Sequence, residues 1–422
     1  MKVASTFRTI SPNELSAEMR ETLKPLARLL RIFSLECTIP QTRWQFFWMV
    51  FKAFVSAAVL GLLTFYTLCV KIRYIYDSIN LSIKLTDAIQ MFYDYSQYIV
   101  DLVFVFKYGR EVNAEYYNQY GNIDRFFAIT NYLPIKRRLV KNIAYFIVVW
   151  SVVCVGDFSA WSVSYGCFTP TIYATSYIFL LLKIFNTLDL LSHVMQIEFR
   201  LKLIVDRLRD CYCTTRYLPG VLQFSDTISN KHWFYCDSSL RCTQSETQSD
   251  LTLAPHNHQA VKWLSRCYLL LVEQCVFINN MYGIRILLNS LSLLIDMIRF
   301  TNIAVRLIIG SQPTLYASGY FPAAANLIRM MTCIMVVGIL VAQCERVYRQ
   351  RDTALAIIDH TLVNKDPDAA LRAALNDLRS LLQSRRVEFH TAYYFRLDYG
   401  FLVSVASVMV TYTIILIQSL PK

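Results

Sequence analysis

Seven runs of mostly apolar residues divide this chain, at 46–70, 86–106, 142–163, 170–192, 283–310, 321–344 and 399–420. Each is close to the roughly 20 helical residues that a bilayer core of ~30 Å requires. Each therefore predicts a transmembrane helix. The pattern between the runs predicts where helices continue. In 193–210, Ile197, Leu201, Ile204 and Leu208 alternate with Arg200, Lys202, Arg207 and Arg209 at helical spacing, so the fourth helix extends beyond its apolar run. Helical periodicity returns at Gln259 and runs unbroken into the fifth apolar run. Residues 345–363 likewise extend the sixth. The turn Asp366-Pro367-Asp368 then opens another helix, with Asp366 as its N-cap and Pro367 in its first position, reaching to about Val387 and leading into the last run. Residues 214–257 are polar and rich in Ser and Thr, without a sustained period, which predicts a mobile loop. The first 45 residues are polar and basic around an apolar patch, Leu26 to Phe33, which predicts a helix lying on the membrane surface.

The fold class is thus an all-α membrane protein with seven transmembrane helices and helical extensions. Its organisation is 1–45, an N-terminal segment; 46–344, helices one to six with their extensions and the loop 214–257; 345–398, further helices; and 399–422, the last span. Composition agrees. The chain is 55% apolar with a mean hydropathy of +0.36, and only 17% of its 422 residues are charged.

The net charge of +12 is explained by location and does not point to nucleic acid. Segments 1–45, 107–141, 193–282 and 345–398 hold 32 of the Lys and Arg residues, and the alternate segments hold four. The positive-inside rule puts the basic set in the cytoplasm. The N-terminus is then cytoplasmic and the C-terminus extracellular. Asn80, followed by Ser82, is the one N-x-S/T acceptor and falls in the first external loop, where glycosylation is possible. Cys211, Cys213, Cys236, Cys242 and His232 do not have the spacing of a zinc finger, so no metal and no cofactor is expected. No phosphate loop, HExxH or GxSxG motif is present, so no catalytic residue is assigned.

Ionisable and hydrogen-bonding groups inside the spans are the functional leads, because each is costly in lipid unless paired or wetted. With this orientation the outer halves of helices two to six carry Tyr93, Asp94, Gln97, Asp157, Trp161, Tyr177, Asp296, Arg299, Asn326 and Arg329. Aromatic walls with a few polar groups suit a small-molecule pocket. The same groups also suit pairing between helices, and Asp296 and Arg299 are spaced to neutralise each other. Lys52, Lys183 and Asp189, nearer the middle or inner ends, read as helix-to-helix pairing. In the last run, Ser407, Thr411 and Gln418 make a weakly polar stripe with Ser404 beside it, a surface that can face water in a pore. Tyr412 and either Ile415 or Leu416 then turn toward neighbouring helices.

The last run ends TYTIILIQS, Thr411 to Ser419, and just upstream lies FRLDYGFL, Phe395 to Leu402. Together these resemble the C-terminus of insect gustatory receptors, and FINNMYGIRILL, Phe277 to Leu288, is loosely similar to the same stretch of that family. The resemblance implies a ligand-gated, non-selective cation channel in the plasma membrane of gustatory neuron dendrites. It implies a homotetramer, or a heterotetramer with other gustatory receptors, joined by cytoplasmic helices and surrounded by membrane lipids. It implies a tastant bound in the outer pocket and a pore and gate at Ser407, Thr411, Tyr412, Gln418, Ser419 and Leu420. The family's final Phe is Ser419 here, so that either Leu420 replaces the plug or the resting pore leaks. The family's sugar branch has an acidic residue after its Thr-Tyr pair, where this chain has Thr413, so a bitter or aversive tastant is favoured. A fructose-type, carbon-dioxide or internal nutrient sensor is the alternative within the class. A metabotropic seven-helix receptor is the alternative outside it, and the side on which Lys422 lies discriminates the two.

Overall fold

The computed structural model describes residues 12–36, 42–76, 81–111, 117–127, 129, 132–212, 258–310 and 320–419. Among them are eleven helices and one two-stranded ribbon. The helices are α1 (Pro12–Ile32), α2 (Arg43–Tyr74), α3 (Leu81–Glu111), α4 (Tyr117–Phe126), α5 (Leu133–Tyr165), α6 (Phe168–Tyr173) and α7 (Thr175–Tyr212). They continue with α8 (His258–Ile309), α9 (Tyr320–Asn364), α10 (Ala369–Ser384) and α11 (Tyr399–Ser419). Strands β1 (His390–Thr391) and β2 (Phe395–Arg396) lie between α10 and α11.

Among the described residues six of the apolar runs each fall in one helix, the run 170–192 divides between α6 and α7, and the predicted extensions of α7, α8 and α9 are present. Local chemistry sets several ends. The Thr42 hydroxyl accepts the Gln45 amide at 3.2 Å and caps α2. Pro134 suits the first turn of α5, where no amide donor is needed, and Gly166, at φ 77°, ends that helix in a conformation that side chains avoid. By length and apolarity, five helices qualify as membrane spans: α2, α5, the stretch Phe168–Asp210 containing α6 and α7, α9 and α11. The other two long helices, α3 and α8, carry the charged groups described below.

The chain divides into two compact units. The first comprises residues up to Gln196, Gln274–Arg346 and Glu388 onward. In it the apolar stripe of α1, expected to rest on a membrane surface, is covered by protein. Its Met19, Leu23, Leu26 and Leu30 are buried, and it packs against α4 and α5. Burying a Leu fully is worth about 1.5–3 kcal/mol, and a protein groove covers the stripe more completely than a half-wet interface does. Helix α4, inside the basic segment 107–141, is short and polar on average, so the apolar pattern does not reveal it.

The second unit comprises Ile197–Glu273 and Val347–Val387. Its helical segments bury Leu201, Ile204, Leu208, Leu264, Tyr268, Leu271, Ile358, Leu375 and Leu378. The Tyr268 hydroxyl donates to the carbonyl of Arg385 at 2.7 Å, and Arg379 pairs with Asp359 at 2.7 Å. The cap of α10 is Asp368, two residues later than expected. Asp366 takes a left-handed φ of 37° instead, and its carboxylate receives the side chain of Arg372. A residue before proline avoids the helical region, and this displaces the helix start past Pro367. Helix α10 stops at Ser384 and does not run into the last span.

The ribbon between them belongs to the first unit. His390 pairs with Arg396 and Thr391 with Phe395, and the tight turn uses Ala392 and Tyr393 at φ 49° and 63°. The loop 214–257, Asn80, Cys37, Cys213, Cys236, Cys242, His232 and Leu420 lie outside the described residues.

Candidate functional site

Helix α3 carries an Asp every seven residues, at Asp87, Asp94 and Asp101, which puts three carboxylates on one face. Helix α8 carries Arg285, Ser292 and Arg299 at the same interval. The two helices run antiparallel with these ladders in register. Asp87 faces Arg299 at 3.4 Å, Asp94 accepts from Ser292 at 2.7 Å, and Asp101 accepts from Arg285 at 3.0 Å. Between these rungs Gln97 donates to Asn289 at 2.9 Å, and Gln90 donates to both Asp94 (2.7 Å) and Ser292 (3.1 Å).

Helix α7 completes the seam from a third side. Lys183 lies 2.8 Å from Asp94 and 2.5 Å from Asp296, so one ammonium joins α3 and α8. Asn186 donates to Asp101 and accepts from Arg285 at 2.9 Å, and Asn289 donates to Thr187 at 3.0 Å. Asp189 accepts the Tyr282 hydroxyl at 2.6 Å and lies 3.8 Å from Arg285. At the far end of the seam, Lys71 of α2 reaches Asp87 at 2.9 Å, Tyr76 donates to the same oxygen at 2.8 Å, and the Lys71 ammonium sits 3.9 Å from the centre of the Tyr173 ring. All these charged groups are buried. Removing one partner from such a pair typically costs about 3–5 kcal/mol, because the other is left charged and dry.

A second cluster joins α5, α7 and α9. Asp157 accepts from Trp161 (3.1 Å), Tyr177 (2.7 Å) and Arg329 (2.8 Å). Arg329 also donates to Ser176 at 3.1 Å and lies over the Phe300 ring at 4.4 Å. Beside it the Trp161 ring stacks on Tyr165 at 5.0 Å and on Tyr173 at 6.2 Å. Trp161 and Tyr165 pack against a small apolar core of Ile83, Ile303, Ala304, Leu307 and Ala323.

The predicted pocket residues are therefore gathered in three places. Asp94, Asp296, Arg299 and Gln97 lie in the seam, with Tyr93 at its edge donating to the carbonyl of Leu288 at 3.3 Å. Asp157, Trp161, Tyr177 and Arg329 form the second cluster. Asn326 joins neither and donates to Pro322 of its own helix at 2.7 Å. Asp296 and Arg299 do approach, at 3.8 Å, but each has a stronger tie elsewhere. Lys183 and Asp189 pair between helices as expected; Lys52 is exposed on α2 and does not. Sequence reasoning gave no role to Lys71, Asp101 and Arg285. The seven-residue spacing of Asp on α3 against the same spacing on α8 would have found Asp101 and Arg285, whereas nothing periodic on α2 singles out Lys71.

On α11 the half-buried and buried positions, Phe401, Leu402, Val405, Met409, Tyr412, Thr413 and Leu416, all lie on one side. Ser404, Ser407, Thr411 and Gln418 lie on the opposite side and are exposed. Their hydroxyls donate back to carbonyls one turn earlier, for example Thr411 to Ser407 at 2.9 Å. With Gly400 and Ile414 they recur at alternating intervals of three and four, the spacing of a seam between like helices. Ser419 closes the helix.

Cys267 is free, and burial pushes its thiol up to about 12, so it is a poor nucleophile. Among the described residues no group of His, Cys, Asp or Glu is arranged to hold a metal ion.

Long helices carrying buried ion pairs, five of them apolar enough to cross a bilayer, define a polytopic helical membrane protein. The family model of the 7tm Chemosensory receptor matches residues 23–419, and the chain belongs to that family, part of the insect odorant and gustatory receptor superfamily. It is a family of membrane receptors, not of enzymes. Among solved structures, the chain is similar to the insect olfactory receptor OR5 from Machilis hrabei in complex with eugenol, at 12% identity and a TM-score of 0.51. It is similar to the same receptor in a second structure, at 11% identity and a TM-score of 0.53. Both matches cover 96% of this chain and 99% of the other, and at this identity they speak for the fold. No curated protein matches the chain.

Proposed function

We propose that this chain is a gustatory receptor subunit, a tastant-gated, non-selective cation channel of the plasma membrane in taste-neuron dendrites. The observation that carries this reading is the face of α11. Its polar stripe, Ser404, Ser407, Thr411 and Gln418, is exposed and points away from the rest of its own unit. One copy cannot enclose a path, so several α11 helices around an axis, four in a homo- or heterotetramer, would bring these stripes together. Weakly polar hydroxyls and an amide suit hydrated cations without binding them tightly.

The tastant's seat is the half-buried aromatic group Trp161, Tyr165 and Tyr173 and the apolar core beside it. Beneath it the carboxylates and cations are already paired. A small, largely uncharged aversive compound fits such a wall better than a charged one. Seven spans with the C-terminus outside complete the reading, α3 and α8 crossing as the charged, protein-enclosed pair. A compound opens the pore only by binding the open arrangement better than the closed one.

Recording from cells that express the chain alone, during application of a tastant panel, tests the function. A compound-evoked cation current is expected. An epitope after Lys422 should stain unpermeabilised cells; staining only after permeabilisation would exclude the channel orientation and favour a metabotropic receptor.

A further inference from the structure

Two of the three stretches that carry the family resemblance, 277–288 on α8 and 395–402 at the root of α11, meet around the ribbon. Cys275, Asn279 and Gly283 recur every four residues and share one face of α8. Asn279 uses both ends of its amide on the ribbon backbone: Nδ2 donates to the carbonyl of Glu388 at 2.7 Å, and Oδ1 accepts the amide of His390 at 3.0 Å. The Cys275 thiol donates to the same Glu388 carbonyl at 3.1 Å. Burial pushes that thiol up to about 12, so it stays a donor at physiological pH. One turn on, a Cβ at Gly283 would lie 2.9 Å from the Ala392 nitrogen and 3.2 Å from its Cα. Backbone, not a flexible side chain, fills that space, so glycine alone permits this approach. Asn280 accepts the Tyr393 hydroxyl at 2.7 Å and pins the turn.

The ribbon passes this fixation on. The Leu397 amide donates to Phe389 at 2.9 Å, the Asp398 carboxylate accepts the Phe401 amide at 3.0 Å, and the Tyr399 amide reaches Glu345 of α9 at 3.3 Å. Acceptors at the first turn suit a helix N-terminus. A ribbon of two residue pairs is too short to be stable alone, so its order depends on α8. Farther along, the same α8 carries Arg285, Asn289, Ser292, Asp296 and Arg299, the rungs of the buried seam. A continuous helix does not bend freely between these points.

We propose that Asn279 and Gly283 are positioning residues for α11. They lock the ribbon onto α8, so that a displacement of α8 at the seam is delivered to the root of α11 instead of being absorbed by a slack connection. This rests on the reading of α11 as the lining of the conduction path.

The test uses the full-length receptor. Hydrogen exchange of purified Asn279→Ala and Gly283→Ala should be faster by about tenfold or more over 389–401 and little changed over 285–300, since each removes about one to two hydrogen bonds' worth of local stability. In cells at equal surface expression, both variants should change the basal sodium current, and the rate at which a charged methanethiosulfonate reagent modifies Gln418→Cys, by about threefold or more. Asn279→Asp keeps the acceptor for His390 but sets a buried carboxylate against the Glu388 carbonyl, so its exchange should be at least as fast as that of Asn279→Ala. It also serves where Gly283→Ala does not reach the surface. Unchanged exchange overturns the lock. Faster exchange with unaltered current and modification, in a wild type that conducts, overturns the positioning role. A wild type showing neither sodium current nor modification at Gln418→Cys removes the channel reading itself, and the positioning role with it.

Discussion

Helices α7 and α11 are both long and apolar enough to cross a membrane, yet they are covered very differently. Of the most apolar window in Phe168–Asp210, 89% is buried; of that in Tyr399–Gln418, 11% is. The difference is one of purpose for polar groups. On α7, Lys183, Asn186, Thr187 and Asp189 are enclosed by α3 and α8, and each meets a partner of matching chemistry. On α11, Ser404, Ser407 and Thr411 bond back to their own helix, and among the described residues Gln418 has no side-chain hydrogen bond. Buried polar groups without partners are costly, so those of α7 fix a register. Exposed hydroxyls cost nothing until something covers them, so those of α11 remain available to water or to other copies of the chain.

Substitutions in four places sharpen or break this contrast. The largest effect is expected from Lys183→Met, which leaves Asp94 and Asp296 facing each other in a dry seam. A loss of about 3–5 kcal/mol is expected, seen as absent surface delivery or a collapsed melting temperature in detergent. Delivery at the wild-type level would show that the seam is wet. Next, Gln97→Leu strands the side-chain oxygen of Asn289 and should cost about 1–3 kcal/mol, whereas Gln97→Leu with Asn289→Leu should recover part of that loss, because no oxygen is then stranded although the bond from Asn289 to Thr187 is given up. Equal destabilisation by the single and double variants would argue against the hydrogen bond.

On α11, Gln418→Ala should leave stability within about 0.5 kcal/mol and surface delivery intact, while altering current amplitude, cation preference or resting leak. If Gln418→Cys is modified by no water-soluble thiol reagent in either state, the polar face is covered and the contrast between the helices disappears. The smallest effect is expected at the end of α11. Ser419→Phe restores the aromatic of the resembled family and should lower the basal current, with evoked current preserved. Should Leu420 already act as the plug, Leu420→Ala alters the basal current instead, and no change in either places the gate elsewhere.

Much of this architecture was readable along the chain. The apolar runs located α2, α3, α5, α7, α8, α9 and α11, and helical spacing of Ile197, Leu201, Ile204 and Leu208 carried α7 past its apolar run. The ribbon at 390–396 was not readable: two residue pairs leave no alternation to detect, and its left-handed turn uses Ala392 and Tyr393 in place of glycine. The fate of α1 was not readable either, since an amphipathic stripe looks the same whether it meets lipid or α4 and α5. Site residues were legible by type and not by partner. Asp94, Asp157, Arg299 and Arg329 stood out as charges in apolar surroundings, but nothing local distinguishes a charge awaiting a ligand from one already paired.

The sequence by itself determined where helices form, which segments are basic, and which face of α11 is polar, because these properties are written in the spacing of neighbours. Tertiary structure alone decided that Asp87 meets Lys71 and Arg299, that Asp157 meets Arg329, and that Asn279 and Gly283 hold the ribbon before α11. Those contacts join residues far apart in the chain. They depend on the register in which α3, α7 and α8 slide against one another, and it takes the packed helices, with every buried charge matched, to select one register from many.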